Sequence, residues 1–414
     1  MIKRHLLGEM KAHLRQKEIS LIIGPRQAGK TTLMMFLKDF LEKQGEKTLF
    51  LNLDIEIDNQ FFISQDSLVR KIKLEFGQKK GYVFIDEIQR KEDAGLFLKG
   101  VYDMNLSHKL VVSGSGSVEL KEKIHESLAG RKRIFELSTV TFQEFVDFRT
   151  GYAYEDRLPF FFEVERERTR GFLEEYLCFG GYPKVLLADD EIEKRKVIGE
   201  IYQSYLERDI FSLLAVEKKE AFTNLVRAVS AQSGNLVNVS ELSRTLGISA
   251  PTLQNYLWYL EKTFILRRVT PYFRNLRKEI TKSPIFYFYD LGLRNYAVGA
   301  FGSALEGRRD GFVFENFIFN ILLEKTFYTS ERIHFWRTKD GAEVDFILDD
   351  GNELTPYEVK YKDMRTPEIT RGLKSFIAKY KPARAFVVHL GEHYETRVGE
   401  TSVSHIPFYK LLKA

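Results

Sequence analysis

Short apolar runs alternate with longer amphipathic segments along the first 150 residues of the chain. Runs with the length and composition of buried strands occur at residues 18–23, 47–53, 81–85, 109–113 and 134–137. Thr32–Glu42 and Leu68–Phe76 repeat their apolar residues with the spacing of helices. Strands that alternate with helices are typical of an α/β fold, so we predict a doubly wound parallel sheet for residues 1–150.

Helical patterns dominate residues 151–283. Gly151–Arg170 is rich in charged and aromatic residues and is interpreted as a linker and helical lid. Asn238–Leu260 has the pattern of a helix-turn-helix, in which Ser240 caps the first helix, Gly247 makes the turn and Ser249 begins the second helix.

Two apolar runs after this motif, residues 264–270 and 285–289, fit the two strands of a wing. Trp258, near the end of the second helix, is expected in the core. We therefore predict a winged helix-turn-helix in the middle region.

The pattern of residues 284–414 changes again and predicts a third unit. A helix is expected at 312–326, three strands at 333–337, 342–348 and 354–361, a helix at 368–381 and a strand at 384–390. Helix, three strands, helix, strand is the core order of the restriction-endonuclease-like PD-(D/E)XK fold. The predicted domains are therefore 1–150, 151–283 and 284–414.

Composition agrees with this division. A chain of 414 residues is too long for one ordinary core, and the net charge of +5 permits contact with nucleic acid without requiring it. The single cysteine, Cys178, excludes an intramolecular disulfide and a thiolate metal cluster, which fits a reducing compartment.

Targeting signals are not evident in the sequence. The first ten residues lack the apolar core of a signal peptide. The most apolar long stretch, Phe312–Leu323, is interrupted by Glu315, Asn316 and Asn320. We expect a cytoplasmic protein without membrane association.

The loop after the first predicted strand carries the clearest chemistry. Residues 24–31 have the pattern G-x-x-x-x-G-K-T, in which backbone N–H groups surround phosphate oxygens. Lys30 would reach the β- and γ-phosphates, and the Thr31 hydroxyl would bind Mg²⁺. The expected ligands of the nucleotide, ATP, are Gly24, Pro25, Arg26, Gln27, Ala28, Gly29, Lys30, Thr31 and Thr32.

Two carboxylates follow the third predicted strand. Because a buried parallel strand delivers the residues at its carboxyl end to the ligand side of the sheet, Asp86 and Glu87 fit the second half of an ATPase site. Asp86 would support Mg²⁺, and Glu87 would polarise the attacking water as general base.

Further candidates leave alternatives open. Ser113 or Ser115 either hydrogen-bonds the water or γ-phosphate or forms a simple turn. Arg131 or Arg133 either acts as an arginine finger toward a neighbouring subunit or lies on the surface. Arg208 either contacts nucleotide as a sensor or pairs with a neighbouring acid in its helix.

These motifs occur together in one order: Gly-Pro-Arg-Gln-Ala-Gly-Lys-Thr, Phe-Ile-Asp-Glu-Ile-Gln, Ser-Gly-Ser, Leu-Ala-Gly-Arg and Thr-Phe-Gln-Glu-Phe. In this respect the chain resembles, over nearly its whole length, the AAA-type ATPases of bacteria and archaea with a C-terminal DUF4143 domain. The resemblance implies a P-loop AAA+ core, ATP hydrolysis, subunit-shared sites in a ring or other homo-oligomer, and a nuclease-like C-terminal fold. The cluster of basic residues at 131–133 leaves the identity of the finger open.

Two regions outside the first domain are candidates for contact with DNA. Thr252, Gln254 and Asn255 would lie on the recognition helix of the helix-turn-helix, and Arg267–Lys282 is rich in lysine and arginine. The alternative is a winged helix used only for packing.

The third domain contains a possible metal site. Asp345 and Glu358 end facing positions on adjacent predicted strands and would hold Mg²⁺. Lys360 lies two residues further along the same strand face, and Glu315 on the preceding helix would complete the site. The alternative is a salt-bridged remnant of a nuclease site.

Three functions are compatible with these patterns. The first is a Mg²⁺-dependent ATPase that acts on DNA through its C-terminal parts, and the second is an ATP-regulated endonuclease. The third is a nucleotide-switched scaffold that binds other proteins.

Overall fold

A computed structural model of the chain describes residues 2–115, 127–206, 210, 218–273, 282–301, 308–327 and 329–412. Arg208 and residues 274–281 of the basic segment Arg267–Lys282 lie outside the described residues. The predictions made for them therefore have no structural counterpart here.

A parallel sheet forms the centre of the N-terminal region. Its strands are β1 (Ile19–Gly24), β2 (Thr48–Asn52), β3 (Tyr82–Asp86), β4 (Lys109–Ser115) and β5 (Lys132–Glu136), in the order β2-β3-β4-β1-β5. Each neighbouring pair is parallel, so the crossovers place β1 between β4 and β5.

Helices cover both faces of this sheet. They span Leu6–His13, Lys30–Lys43, Glu56–Asn59, Gln65–Phe76 and Ala94–Asp103, with short 3₁₀ turns at Gln60–Phe62 and Ile88–Arg90. Successive side chains of a strand point to opposite faces. Leu21 therefore packs in the core that contains Ile72, while Ile22 packs in the core that contains Leu37. The prediction of a doubly wound sheet is confirmed.

Helices make up the middle region. After helix Phe142–Arg149, which ends the first predicted domain, they span Leu158–Val164, Arg166–Phe179, Pro183–Leu186, Glu191–Ser204, Lys219–Ala231, Val239–Thr245 and Ala250–Lys262. Val239–Thr245 and Ala250–Lys262 form the helix-turn-helix, with Gly247 at a φ of 64° in the turn.

Two details of this motif differ from the prediction. Asn238, not Ser240, caps the first helix, because its side chain accepts from the N–H groups of Ser240 and Glu241. Trp258 is only partly buried, and Lys262 lies over its ring, so it is not a core residue. Tyr256 and Leu257 occupy the core side of the helix instead.

A second sheet dominates the C-terminal region. Its strands are β6 (Leu266–Pro271), β7 (Ile285–Phe288), β8 (Arg332–Arg337), β9 (Glu343–Asp349), β10 (Leu354–Val359), β11 (Arg384–His389), β12 (Tyr394–Val398) and β13 (Thr401–Pro407). Their order is β12-β13-β11-β10-β9-β8-β6-β7. Helices span Leu291–Val298, Arg308–Thr326 and Arg371–Tyr380, and a 3₁₀ turn spans Phe408–Leu411.

The predicted order of helix, three strands, helix and strand is present in this region. β8, β9 and β10 are antiparallel neighbours, and β11 adds a parallel strand beside β10. β6 and β7, which the sequence predicts as the strands of a wing, pair with each other, and β6 also pairs with β8. The predicted boundary after residue 283 therefore falls between two paired strands of the C-terminal sheet.

A shared aromatic core joins the regions. Phe142 lies 5.4 Å from Phe317 and 5.6 Å from Phe408, measured between ring centroids. The start of helix Phe142–Arg149 thereby packs against helix Arg308–Thr326 and the 3₁₀ turn Phe408–Leu411, so the end of the first predicted domain contacts the third. Among the described helices, none has the length and apolar character needed to cross a membrane.

Candidate functional site

The backbone of the loop between β1 and helix Lys30–Lys43 favours glycine at two positions. A β-carbon at Gly24 would collide with the Leu137 carbonyl oxygen, so only glycine fits there. Gly29 has a φ of 96° and stands at the helix N-terminus, where N–H groups lack partners within the helix. The predicted phosphate-binding loop therefore leads into a helix N-terminus, the arrangement that favours anions.

Lys30 lies within this loop. The residue is 5% exposed, and its Nζ donates to the carbonyl oxygens of Gly24 at 3.1 Å and Pro25 at 2.8 Å. The loop thus holds a buried ammonium group beside the helix N-terminus.

The structure brings the two predicted halves of the site together at Asp86. The Thr31 hydroxyl donates to Asp86 Oδ2 at 2.7 Å, and the Ser113 hydroxyl donates to Asp86 Oδ1. Asp86 itself is fully buried at the end of β3. A hydroxyl and a carboxylate in contact are oxygen ligands of the kind that Mg²⁺ takes.

Glu87 follows directly at a φ of 57°, a left-handed conformation that is uncommon outside glycine. Its N–H lies 3.2 Å from Asp86 Oδ1 and 3.4 Å from Ser113 Oγ, and the Gln89 side-chain amide donates to its carboxylate. Burial raises the pKa of the Glu87 carboxyl, while the charge of Lys30 opposes the shift. The carboxylate is therefore a stronger base than an exposed glutamate.

The two candidate serines differ in position. Ser113 contacts Asp86 directly, as described above. Ser115 pairs with Gly24 across β1 and β4, and only its backbone is described. A role of the Ser115 side chain remains a prediction.

The candidate finger arginines lie far from the loop of their own chain. Arg131 Nε contacts Asp103 Oδ1 at 2.8 Å, and Arg133 is exposed over the Phe135 ring. β5 pairs Lys132 with Ile19, five residues before Gly24, which is roughly 16 Å along the strand. The structure does not bring either arginine to the phosphate loop of its own chain.

No sequence motif predicts a role for Arg4, although it contacts the loop. The residue is 9% exposed, and one of its nitrogens donates to the Ala28 carbonyl oxygen at 3.0 Å. Its partners are backbone carbonyls and a glutamate distant in sequence, so no local pattern marks it.

The acidic residues of the C-terminal sheet also come together. The pairing of Tyr357 with Phe346 places Glu358 directly opposite Asp345. Asp345 Oδ2 accepts from the Val359 N–H at 2.7 Å, and Glu358 Oε1 accepts from Lys360 Nζ at 2.7 Å. Lys360 follows the last residue of β10 and still donates its N–H to Val388 of β11.

Glu315 stands beside this pair. It accepts from the Tyr287 hydroxyl at 2.5 Å, and burial raises the pKa of its carboxyl to about 7. Burial and then the nearby Glu358 and Glu315 raise the pKa of Asp345 well above its usual range. Although burial opposes it, the facing carboxylates raise the pKa of Lys360.

A cavity of about 440 Å³ opens onto these acids. Its lining includes Glu315, Glu343 and Asp345, together with Gly234 and Asn235 from the loop before the helix-turn-helix. This volume is typical of small-ligand sites. Among the described residues, no group of three or more acids, histidines or cysteines has the arrangement of a metal site.

The predicted recognition helix presents polar side chains to solvent. Gln254 and Asn255 are exposed, and Thr252 is half-buried. Arg267 and Arg268 on β6 are exposed as well. These residues are available for contact with a partner.

Family comparisons divide the chain in the same way. The family model described as AAA domain matches residues 16–146, and DUF4143, a domain of unknown function, matches residues 310–409. The chain has the AAA–DUF4143 architecture. A further domain of unknown function, DUF8612, matches residues 170–304 between them.

Curated relatives match most of this chain. An uncharacterized protein of Mycobacterium tuberculosis is 27% identical over 398 residues, which cover 94% of this chain and 80% of the relative. An uncharacterized protein of Haemophilus influenzae is 25% identical over 387 residues, which cover 91% of this chain and 90% of the relative.

Solved structures similar to this AAA–DUF4143 chain include two AAA-type proteins. RuvB of Thermotoga maritima has a TM-score of 0.33 at 17% identity, covering 65% of this chain and 90% of RuvB. AMPPCP-bound DnaA of Aquifex aeolicus has a TM-score of 0.29 at 13% identity, covering 63% of this chain and 90% of DnaA.

Proposed function

We propose that this chain is a Mg²⁺-dependent ATPase that acts on DNA. The observation that supports the ATPase most strongly is the 2.7 Å hydrogen bond between Thr31 and Asp86. It joins a phosphate-binding loop to an acid-bearing strand, and hydrolysis of a nucleoside triphosphate needs both.

The loop would bind the substrate through its phosphates. Backbone N–H groups of Gly24 and of residues 26–32, at the helix N-terminus, attract the phosphate oxygens, and Lys30 supplies a positive charge to the β- and γ-phosphates. Lys30 now donates to two loop carbonyls, so the incoming phosphate would replace these acceptors.

The residues present fit a magnesium ion. Thr31 and Asp86 would hold it, directly or through water, as a hard cation with oxygen ligands. Bound magnesium would neutralise charge on the phosphates.

Glu87 would act on the attacking water. Its carboxylate orients the water and accepts a proton from it as the new bond to the γ-phosphorus forms and ADP leaves. The Gln89 side-chain amide donates to the carboxylate and orients it, while the Glu87 backbone N–H contacts Ser113 Oγ.

Self-association would complete the site. Because Arg131 and Arg133 lie at the far end of β5 from their own loop, a finger role for either needs a neighbouring subunit. The alternative for Arg131 is the surface ion pair with Asp103 that it already makes.

The DNA part of the proposal is supported by exposed polar groups. Gln254 and Asn255 lie on a helix that follows a tight turn, as recognition helices do, and Arg267 and Arg268 add positive charge nearby. The alternative is that this motif serves packing, for which the contact between Tyr256 and Phe222 provides a basis.

The ATPase rate on different DNAs tests this function. We expect phosphate release in Mg²⁺ that falls to background in EDTA, and a rate that changes with single-stranded, branched or duplex DNA. If no DNA binds or alters the rate, the DNA part is wrong. Recovery of a stable protein partner without nucleic acid would then favour the nucleotide-switched scaffold.

The acidic cluster supports a second candidate, an ATP-regulated endonuclease. The observation that favours it is the cross-strand pair Asp345 and Glu358 with Lys360 bound to Glu358. Two carboxylates and a lysine at this spacing can hold a divalent cation and stabilise charge at a phosphate.

Plasmid nicking in Mg²⁺ or Mn²⁺ tests the endonuclease. Lys360→Ala should reduce nicking at least tenfold, because it removes the charge beside Glu358. Lys362→Ala is a matched control, since Lys362 pairs only with the exposed Glu368 in the described contacts and should leave nicking unchanged. Equal nicking by wild type and Lys360→Ala would assign the cleavage to a contaminant.

A further inference from the structure

We propose that Arg4 is a positioning residue for the phosphate-binding loop. By holding the Ala28 carbonyl, Arg4 aims the Gly29 N–H at the phosphate. This inference rests on the proposed function, because the loop would have to bind a nucleoside phosphate.

The guanidinium of Arg4 connects three parts of the chain. Nε donates to Glu144 Oε2 at 2.9 Å, and Nη1 donates to the Ala28 carbonyl oxygen at 3.0 Å. Nη2 donates to the carbonyl oxygens of Ser138 at 2.8 Å and Thr139 at 3.1 Å. The phosphate loop is thereby fixed to the segment that follows β5.

Because the peptide group is planar, the contact with the Ala28 carbonyl also sets the direction of the Gly29 N–H. The described residues contain no cis peptide bond, and in a trans peptide the C=O of one residue and the N–H of the next point in opposite directions. Because Arg4 holds the Ala28 carbonyl toward the 138–144 segment, the Gly29 N–H must point away from it. Gly29 is the N-cap of helix Lys30–Lys43, so its N–H belongs to the group that can bind an anion.

The anchor on the other side of Arg4 is rigid. Glu144 accepts from the His5 N–H at 2.6 Å and forms a capping box with Thr141 at the start of helix Phe142–Arg149. That helix is buried through Phe142, which packs on Phe317 and Phe408, and through Phe145, which packs on helix Arg166–Phe179. Arg4 therefore attaches the loop to a helix that packing holds in place.

Lysine cannot reproduce this arrangement. An ammonium group offers its donors from one point, whereas the acceptors of Arg4 lie in several directions around a planar fork. Arg4→Lys would keep a positive charge near Glu144 and would lose the contact with Ala28. Arg4→Met would remove the charge as well.

Nucleotide binding distinguishes positioning from a purely structural role. We measure the Kd of ADP and ATP in Mg²⁺ by calorimetry, and kcat and KM for ATP, for the full chain. For Arg4→Lys we expect both Kd values and the KM to rise about tenfold, which corresponds to the loss of one charge-assisted hydrogen bond, that from the Gly29 N–H to a phosphate oxygen. The kcat should stay within about threefold of wild type.

Lys3→Ala is the matched control. Lys3 is adjacent to Arg4 in sequence, and its ion pair with Glu155 at 2.7 Å is on the surface. The nucleotide affinity of Lys3→Ala should therefore equal that of wild type. A purely structural role of Arg4 would lower the melting temperature and the active fraction of Arg4→Lys while leaving the Kd and KM of the folded fraction unchanged. That result overturns the proposal.

Amide hydrogen exchange keeps the proposal testable on its own. In protein without nucleotide, the amides of residues 26–31 should exchange faster in Arg4→Lys than in wild type, and Arg4→Met, if it folds, should show a larger effect. If wild type binds neither ADP nor ATP, the ATPase proposal fails and the exchange result alone decides whether Arg4 orders the loop. Equal exchange in wild type and Arg4→Lys would overturn it.

Discussion

Replacing Lys30 with alanine is expected to abolish ATP hydrolysis. The ammonium group is buried inside the phosphate loop, where it makes two hydrogen bonds. In the complex these bonds would go to phosphate oxygens, and a charge-assisted hydrogen bond is worth about 1.5–3 kcal/mol. Losing two of them lowers kcat/KM by about 10² to 10⁴.

Phosphate release at a range of ATP concentrations measures this effect. Lys43→Ala is a suitable control, because Lys43 is exposed in the last turn of the same helix, at the opposite end from Lys30. Hydrolysis by Lys30→Ala at the wild-type rate would mean that another protein in the preparation is the ATPase.

Glu87→Gln is expected to separate binding from hydrolysis. Glutamine keeps the size of the side chain and removes the base, so kcat should fall by about 10² to 10⁴ while ATP binding is retained. Because burial raises the pKa of Glu87, the wild-type rate should fall as the pH decreases through a value above the usual 4.5 of a glutamate. Below that pH the carboxylate is protonated and accepts no proton from water.

Rapid filtration of bound nucleotide and phosphate release together measure both parts of this prediction. Glu92→Gln, an exposed acid a few residues further along the chain, should behave as wild type. Wild-type turnover in Glu87→Gln would remove Glu87 from the mechanism.

The sequence predicted the parts of the site that depend on local pattern. The loop at residues 24–31 and the acids at 86 and 87 each follow a run of buried apolar residues, so strand periodicity alone places them at the carboxyl ends of strands. The contact between Thr31 and Asp86 then follows if both strands belong to one parallel sheet.

The order of the strands could not be read from the chain. β1 lies between β4 and β5, and the pairing depends on which apolar faces the helices cover. The same holds for β6 and β7, which join the C-terminal sheet although they follow the helix-turn-helix in sequence. β12 and β13 were not predicted, since β12 alternates half-buried and exposed residues with little apolar content.

Arg4 illustrates the limit of motif-based reasoning most clearly. Its acceptors include carbonyl groups, which every residue has, at positions 24 to 135 residues away. Trp258 illustrates the opposite error, because an aromatic ring in an apolar helical pattern predicts a core position, whereas the structure leaves it only partly buried beneath Lys262. The environment of both residues depends on how the helices and strands pack together, which local sequence does not specify.

The central claim is that Lys30, Thr31, Asp86 and Glu87 form one site for ATP hydrolysis. Bound ATP and released phosphate, measured in the same sample of purified wild type and Glu87→Gln in Mg²⁺, test it most directly. We predict that both proteins bind ATP and that only the wild type releases phosphate at an appreciable rate. Absence of ATP binding by the wild type, or equal phosphate release by the two proteins, would contradict the claim.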